Sequence, residues 1–173
     1  MQEGERRRFE QAMLPHLDAA YNLARWLTRK DHDAEDVVQE AYLRAWKSFG
    51  GFRGGDGKAW LLATVRNTCY TWLAKNRAQL AETPFDETVH SQAVAAPNPA
   101  QLALREEDIA LLHQAIAALP VEFREAIVLR DLEGLSYHDI AAVAGLPLGT
   151  VMSRLARARE RLQQMLAGHR NKE

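Results

Sequence analysis

Asp131–Leu162 reads DLEGLSYHDIAAVAGLPLGTVMSRLARARERL, two short helical patterns on either side of a Gly145-Leu146-Pro147 break. Ser136 with Asp139 three residues later has the form of a capping box, and Ile140, Ala141 and Ala144 supply the apolar side of the helix it opens. Gly145 can take the left-handed conformation that stops a helix, and Pro147 suits the first turn of the next. On that second helix Val151, Leu155, Ala158 and Leu162 share one face, spaced by four, three and four residues. The opposite face carries Gly149, Ser153, Ala156 and Arg157, flanked by Thr150, Arg154 and Arg161, while Arg159 projects from another side toward phosphate or solvent. Small residues in front and guanidinium groups behind let a helix enter a major groove and hold the flanking phosphates. The pattern predicts a helix-turn-helix that binds DNA. An ordinary hairpin with solvated arginines is disfavoured by the conjunction of cap, glycine turn, proline and arginine spacing.

Outward from this stretch the period stays helical. Phe9, Met13, Leu17, Ala20, Leu23 and Leu27 recur at three- and four-residue steps, predicting one helix over about 5–29. Asp33 with Asp36 is placed to cap a second, from about Ala34 to Ser48. Phe49–Gly57, FGGFRGGDG, is a loop bearing two aromatics, and a third helix follows from about Lys58 to Arg77 with the core stripe Leu61, Val65, Thr68/Cys69 and Trp72. From Glu82 to Pro99 the periodicity fails, three prolines appear, and Glu82, Asp86 and Glu87 add negative charge, as in a linker. Residues about 101–118, 121–133, 136–144 and 148–166 then predict four more helices. Nothing alternates with a strand period and nothing repeats. The fold class is therefore all-α: two small helical domains, residues 5–80 and 101–168, each on its own core, joined by a flexible acidic, proline-containing linker at 81–100.

Net charge over the 173 residues is −1, which looks wrong for DNA binding until it is mapped. Residues 1–30 hold six basic and four acidic groups, 31–50 two and five, 51–80 five and one, 81–120 one and six. Residues 148–173 hold six and two. Basic blocks separated by acidic ones suggest two nucleic-acid contacts, with acidic surfaces left for other work.

Other classes are disfavoured. Cys69 is the single cysteine, which excludes an internal disulfide and suits a packed apolar site near Val65 and Trp72. His16, His32, His90, His113, His138 and His169 are scattered without metal-ligand spacing, and no GxSxG elbow occurs, so no metal, cofactor or enzyme chemistry is expected. Gly57-Lys58-Ala59 lacks the hydroxyl of a P-loop, and a helix rather than a strand precedes it. The opening MQEGERRRFEQAM has charges where a secretory signal needs an apolar core, and no apolar run approaches membrane-spanning length. A cytoplasmic protein without direct membrane insertion is expected.

Two surfaces remain. Trp60, Thr64, Asn67 and Thr71 form an outward stripe with Arg66, Tyr70 and Arg77 beside it, the mixture of stacking rings and charge that single-stranded nucleic acid requires. Trp60 can equally pack against the first helix. Asp36, Gln39, Glu40 and Leu43 present an acidic-amide-leucine face, suited either to solubility or to docking on a basic helical partner.

With these pieces in order, nearly all of residues 5–166 resembles the bacterial sigma-70 family of RNA polymerase sigma factors, specifically the small extracytoplasmic-function (ECF, group four) type. AEDVVQEAYLRAW at Ala34–Trp46 looks like region 2.1–2.2, and Phe52-Arg53, Trp60-Leu61 and Val65-Arg66-Asn67-Thr68 look like regions 2.3–2.4. LPVEFREA at Leu119–Ala126 is similar to the opening of region 4, and GTVMSRLARAR at Gly149–Arg159 to its signature. The resemblance implies a region 2 bundle and a region 4 helix-turn-helix. Asp36, Gln39, Glu40 and Leu43 would dock on the β′ clamp helices of core RNA polymerase. Phe52, Arg53, Trp60 and Asn67 would recognise and melt the −10 element of promoter DNA. Thr150, Ser153, Arg154 and Arg157 would bind the −35 element, with Ser153 and Arg157 reading bases. The β flap and an anti-sigma factor are further implied partners, and the linker would run toward the RNA exit path. Met152 stands where many relatives carry a basic residue, Ala156 where some carry a larger group, and Ala63-Thr64 in place of the more usual Arg-Ile.

Overall fold

A computed structural model describes residues 3–77 and 106–172. The linker expected at 81–100 and the start of the helix expected from 101 lie outside them. Every regular element among the described residues is helical, and none of these helices is long and apolar enough to cross a membrane. The elements are α1 (Glu3–Met13), α2 (Leu17–Thr28), α3 (Asp31–Ser48), α4 (Gly57–Lys75), α5 (Glu106–Ala118), α6 (Val121–Ile127), α7 (Tyr137–Ala144) and α8 (Leu148–Arg170). A 3-10 turn at Leu14–His16 separates α1 from α2, and a π turn at Val128–Leu132 prolongs α6.

The single helix expected over 5–29 is two. Pro15 has no N–H to give the preceding turn, so the backbone tightens and α2 starts in a new phase. Leu17, counted in the apolar stripe, is consequently 45% exposed, while Leu23 and Leu27 stay fully buried. The cap expected from Asp33 and Asp36 is also absent. α3 begins at Asp31 behind an extended Lys30 with no side-chain cap, and Asp31 and Asp33 instead lie in the first turn, where the helix dipole favours them. In α4 the buried stripe is Leu61, Leu62, Val65, Thr68, Cys69 and Leu73, with Trp72 only half-buried. Burial pushes the Cys69 thiol up to about 12, so it remains protonated and inert.

The helix-turn-helix forms as its sequence requires. Ser136 Oγ accepts from the Asp139 N–H at 3.1 Å, Gly145 adopts φ +66°, and the Leu146 N–H closes the end onto Ala141 O at 3.0 Å. Ser136→Ala should cost about 1 kcal/mol, seen as a lower denaturant midpoint with an unchanged slope. No shift would mean that solvent replaces the cap.

Separate cores were expected, and here the structure differs. One apolar cluster runs from Phe9, Met13, Leu23, Leu27, Val37, Ala41, Leu61 and Val65 into Ala126, Val128, Leu129, Ile140, Val143, Val151 and Leu155. A smaller one joins Ile116, Leu119, Phe123, Ile127, Ala158 and Leu162, with Trp26 of α2 against it. The reason lies in size: α6 and α7 are only seven and eight residues long and too short to cover one another. α7 lies along α4, and α6 against α2, burying what would otherwise face water.

Candidate nucleic-acid interface

α8 is pinned by its apolar stripe. Val151, Leu155, Ala158 and Leu162 are buried, which turns Gly149, Met152, Ser153 and Ala156 outward as an exposed face of small and flexible side chains. Thr150, Arg154 and Arg157 line its flanks, half-buried, and the Ser153 hydroxyl donates back to Thr150 O at 3.1 Å. Such a face admits a base edge to within hydrogen-bond reach.

Two arginines of this helix are placed differently from expectation. Arg159 does not project toward phosphate or solvent. Its Nη2 and Nε donate to the Asp131 carboxylate at 2.6 and 3.2 Å, tying α8 to the π turn. The hydrogen bond to Asp131 raises the pKa of Arg159 and outweighs partial burial. Arg161, expected on the DNA-facing flank, stacks its guanidinium over the Phe123 ring at 4.9 Å. Sequence spacing placed both on the helix but held no sign of Asp131 or Phe123 as partners.

Around the glycine loop the aromatics form one cluster. Phe52 stacks on Phe49 with centroids 5.6 Å apart, Trp60 lies 5.3 Å from Phe52, and Phe9 meets Phe49 edge-on at 5.3 Å. Gly54 and Gly55 take φ near +87° and +86°, which lets the chain turn in front of these rings. Trp60 therefore packs on the loop aromatics, and both Phe52 and Trp60 keep part of their surface in solvent. Arg53 and Asn67 are exposed. Asn67 stands about 10 Å along the axis from Trp60, two helical turns on, so one strand can touch both.

Arg66 and Tyr70, beside that stripe, turn toward α6. Arg66 Nε donates to Glu125 Oε1 at 2.8 Å, and Tyr70 Oη donates to Oε2 at 2.6 Å. The Arg66 guanidinium also lies 4.0 Å over the Tyr70 ring. Burial disfavours the Arg66 cation, yet the Glu125 charge and hydrogen bond raise its pKa overall. Burial, then Glu125, pushes the Tyr70 phenol far up. A second bridge joins Lys58 Nζ to Glu133 Oε2 at 3.5 Å. Glu125 and Glu133 carry no signature in the sequence, because only tertiary packing makes them acceptors.

The third surface is α3. Val37, Val38, Ala41 and Ala45 are buried, while Asp36, Gln39, Glu40 and Leu43 all face solvent, Leu43 at 62% exposure. Glu40 accepts from Arg44 Nη2 at 2.6 Å, one turn on. The sequence-chosen residues thus fall on three separate faces of one body rather than in a single cleft.

Comparison with known proteins gives a consistent picture. The model for sigma-70 region 2 matches residues 13–79, and that for sigma-70, region 4, matches residues 109–162. The chain is 35% identical over 161 residues to the ECF RNA polymerase sigma factor SigE of Mycolicibacterium smegmatis, covering 93% of this chain and 62% of that relative's length. It is 35% identical over 175 residues to the RNA polymerase sigma-H factor of Pseudomonas aeruginosa, covering 96% and 90%. Among solved structures it is similar to the sigma factor RpoE of Bartonella quintana in complex with the anti-sigma factor NepR, with TM-score 0.69 and 36% identity over 92% of this chain and 97% of that one. The structure of CnrH in complex with the cytosolic domain of CnrY aligns with TM-score 0.66 and 26% identity, over 94% and 90%.

Proposed function

The chain belongs to the sigma-70 family, as a member of its extracytoplasmic-function type, and on that premise we propose that it binds core RNA polymerase and directs promoter-specific transcription initiation. The family consists of non-enzymatic initiation factors, so the chemistry here is recognition. The observation that carries the reading is the pairing of an outward small-residue face on α8 with a separate acidic-amide-leucine face on α3. A duplex-binding repressor needs the first and has no use for the second.

In this reading residues 5–80 form region 2, 81–100 the linker, and 101–168 region 4. Asp36, Gln39, Glu40 and Leu43 dock on the β′ clamp helices, and region 4 meets the β flap. Phe52 and Trp60 stack on bases of the melted −10 strand, Arg53 holds phosphate, and Asn67 hydrogen-bonds a base edge. Thr150 and Arg154 position the −35 duplex, while Ser153 and Arg157 read it. The protein works in the cytoplasm, where core polymerase is. An anti-sigma factor is a further proposed partner, supported by the complexes in which both structural neighbours were solved.

Run-off transcription with core polymerase across a promoter library tests the whole reading. Promoter-selective transcripts only when chain and core are combined are the expected result, whereas specific duplex binding by the chain alone would make it a repressor or activator.

Arg157 and Arg159 separate reading from support. Arg157→Ala should cost about 1–3 kcal/mol of promoter binding and relax preference at one −35 position. Arg159→Ala should leave the order of preference untouched and lower stability by about 0.5–1 kcal/mol through loss of the half-exposed Asp131 bridge. Matched promoters carrying each −35 substitution decide the matter. An Arg157 variant with the parental order at every position would remove that residue from the base readers.

A further inference from the structure

The outward face of α8 is not uniform around the helix. Each residue advances by about 100°, so Met152 and Ala156 fall on one side of Ser153, while Thr150, Arg154 and Arg157 fall on the other. Leu148, half-buried, precedes Met152 by one turn on the same side. Arg159 follows two turns later, only about 20° from Met152 in azimuth. Its charge is already matched there, because Nη2 donates to Asp131 Oδ1 at 2.6 Å. The sequence puts arginines on both sides of this helix. The fold leaves one side cationic and the other apolar.

On the apolar side Met152 is 51% exposed, whereas its neighbours Val151 and Leu155 are each 1% exposed. A surface methionine is ordinary by itself. This one lies in the second turn of α8, and the N-terminal residues of such a helix are those that meet base edges. Gly149 and Ala156, about one turn to either side, add little bulk, and a Cβ built on Gly149 would meet nothing within 4 Å. The thioether arm therefore reaches outward unobstructed by its helical neighbours. It has no charge for a phosphate and no N–H for a guanine edge. The apolar group that the major groove displays is the C5 methyl of thymine. An unbranched side chain with a polarizable sulfur adapts well to such a partner.

We propose that Met152 sets a thymine preference in the −35 element, by packing against the C5 methyl of one T·A pair beside the bases that Ser153 and Arg157 read. The inference rests on the reading of α8 as the −35 helix. The two sides of that helix then do different work. Thr150, Arg154 and Arg157 supply hydrogen bonds and phosphate contacts, and the charged contacts weaken as salt rises. Met152 releases no counterion, so its discrimination persists when salt is raised. Burying a single methyl group changes affinity roughly fourfold. That is enough to rank promoters that share the rest of the element.

The test uses the full chain with core RNA polymerase and a promoter that the combination transcribes selectively. Each thymidine of the −35 region, on either strand, is replaced in turn by deoxyuridine, which keeps every base-pair hydrogen bond and removes only the methyl group. At one position this should weaken promoter binding roughly fourfold. Met152→Ala should weaken binding to the unmodified promoter by about the same factor and abolish the response to deoxyuridine there. Met152→Leu should retain the response, and raising the salt should leave its size unchanged. One arm alters the DNA alone, so a folding defect in a variant cannot imitate it. Indifference of the parental complex to deoxyuridine at every −35 position would overturn the inference. So would a Met152→Ala protein that kept the parental response, which would assign the methyl contact to another side chain. Loss of co-purification with core on Met152→Ala would place the residue in a polymerase interface instead. Absence of any promoter-selective transcript from the parental chain would overturn the sigma-factor reading itself, whereas selective transcription without thymine dependence would overturn this inference alone.

Discussion

Replacing Gln39 and Glu40 together by lysine should reduce co-purification with core RNA polymerase roughly 100-fold or more, since placing like charges across a docking surface costs several kcal/mol. The proposed partner is a basic helical surface, and the double change converts an acidic-amide face into a cationic one. Folding should scarcely notice. Both side chains are exposed, and the packing of α3 is carried by Val37, Val38, Ala41 and Ala45 on the other side. Glu40 does give up its bond to Arg44, an exposed pair one turn apart, which is worth about 0.3–0.5 kcal/mol. The melting temperature should therefore stay within a few degrees of the parent. Equal loss of stability and polymerase binding would make this face structural, and undiminished co-purification would move the docking surface elsewhere.

Arg124→Ala should be among the most destabilising single changes, at about 2–4 kcal/mol. Arg124 is the largest fully buried side chain among the described residues. Its Nη1 donates to Leu119 O at 2.8 Å and its Nη2 to Leu27 O at 3.3 Å, so one guanidinium joins the start of α6 to the end of α2. Truncation leaves buried carbonyls without their donor and opens a cavity between the start of α6 and the end of α2. Arg124→Lys should recover only part of the loss, because a single ammonium cannot reproduce the planar fork that spans two carbonyls. Urea unfolding of the three proteins measures this directly. A loss below about 1 kcal/mol for Arg124→Ala would show that solvent enters and satisfies the site.

Much of this protein is legible in the sequence alone, for reasons that are local. Ser136, Gly145 and Pro147 act on backbone groups within a few residues, so the turn of the helix-turn-helix and its boundaries follow from the chain itself. The buried stripe of α8 and the opposed faces of α3 follow from the helical period in the same way. The break at Pro15 is local as well: the proline ends one helix although the apolar repeat runs on through it. The family resemblance added roles to positions already singled out as exposed or basic.

The period of a helix says which face is buried and is silent about what buries it. That silence explains the rest. Separate cores were expected because 101–168 reads as a self-sufficient set of helices, yet α6 and α7 close over α2 and α4. Arg159, Arg161, Arg66 and Tyr70 all read as members of charged or aromatic stripes, and each is claimed by a residue distant in the chain: Asp131, Phe123 and, for the last two, Glu125. An ion pair needs both partners within about 4 Å, and residues 28 to 59 positions apart meet that condition only through the packing of whole helices. Composition and spacing could thus establish an all-helical chain with a helix-turn-helix pattern and an exposed acidic-amide-leucine face on α3. Which of its arginines face outward, and that its two halves share a core, depended on how those helices come to rest against one another.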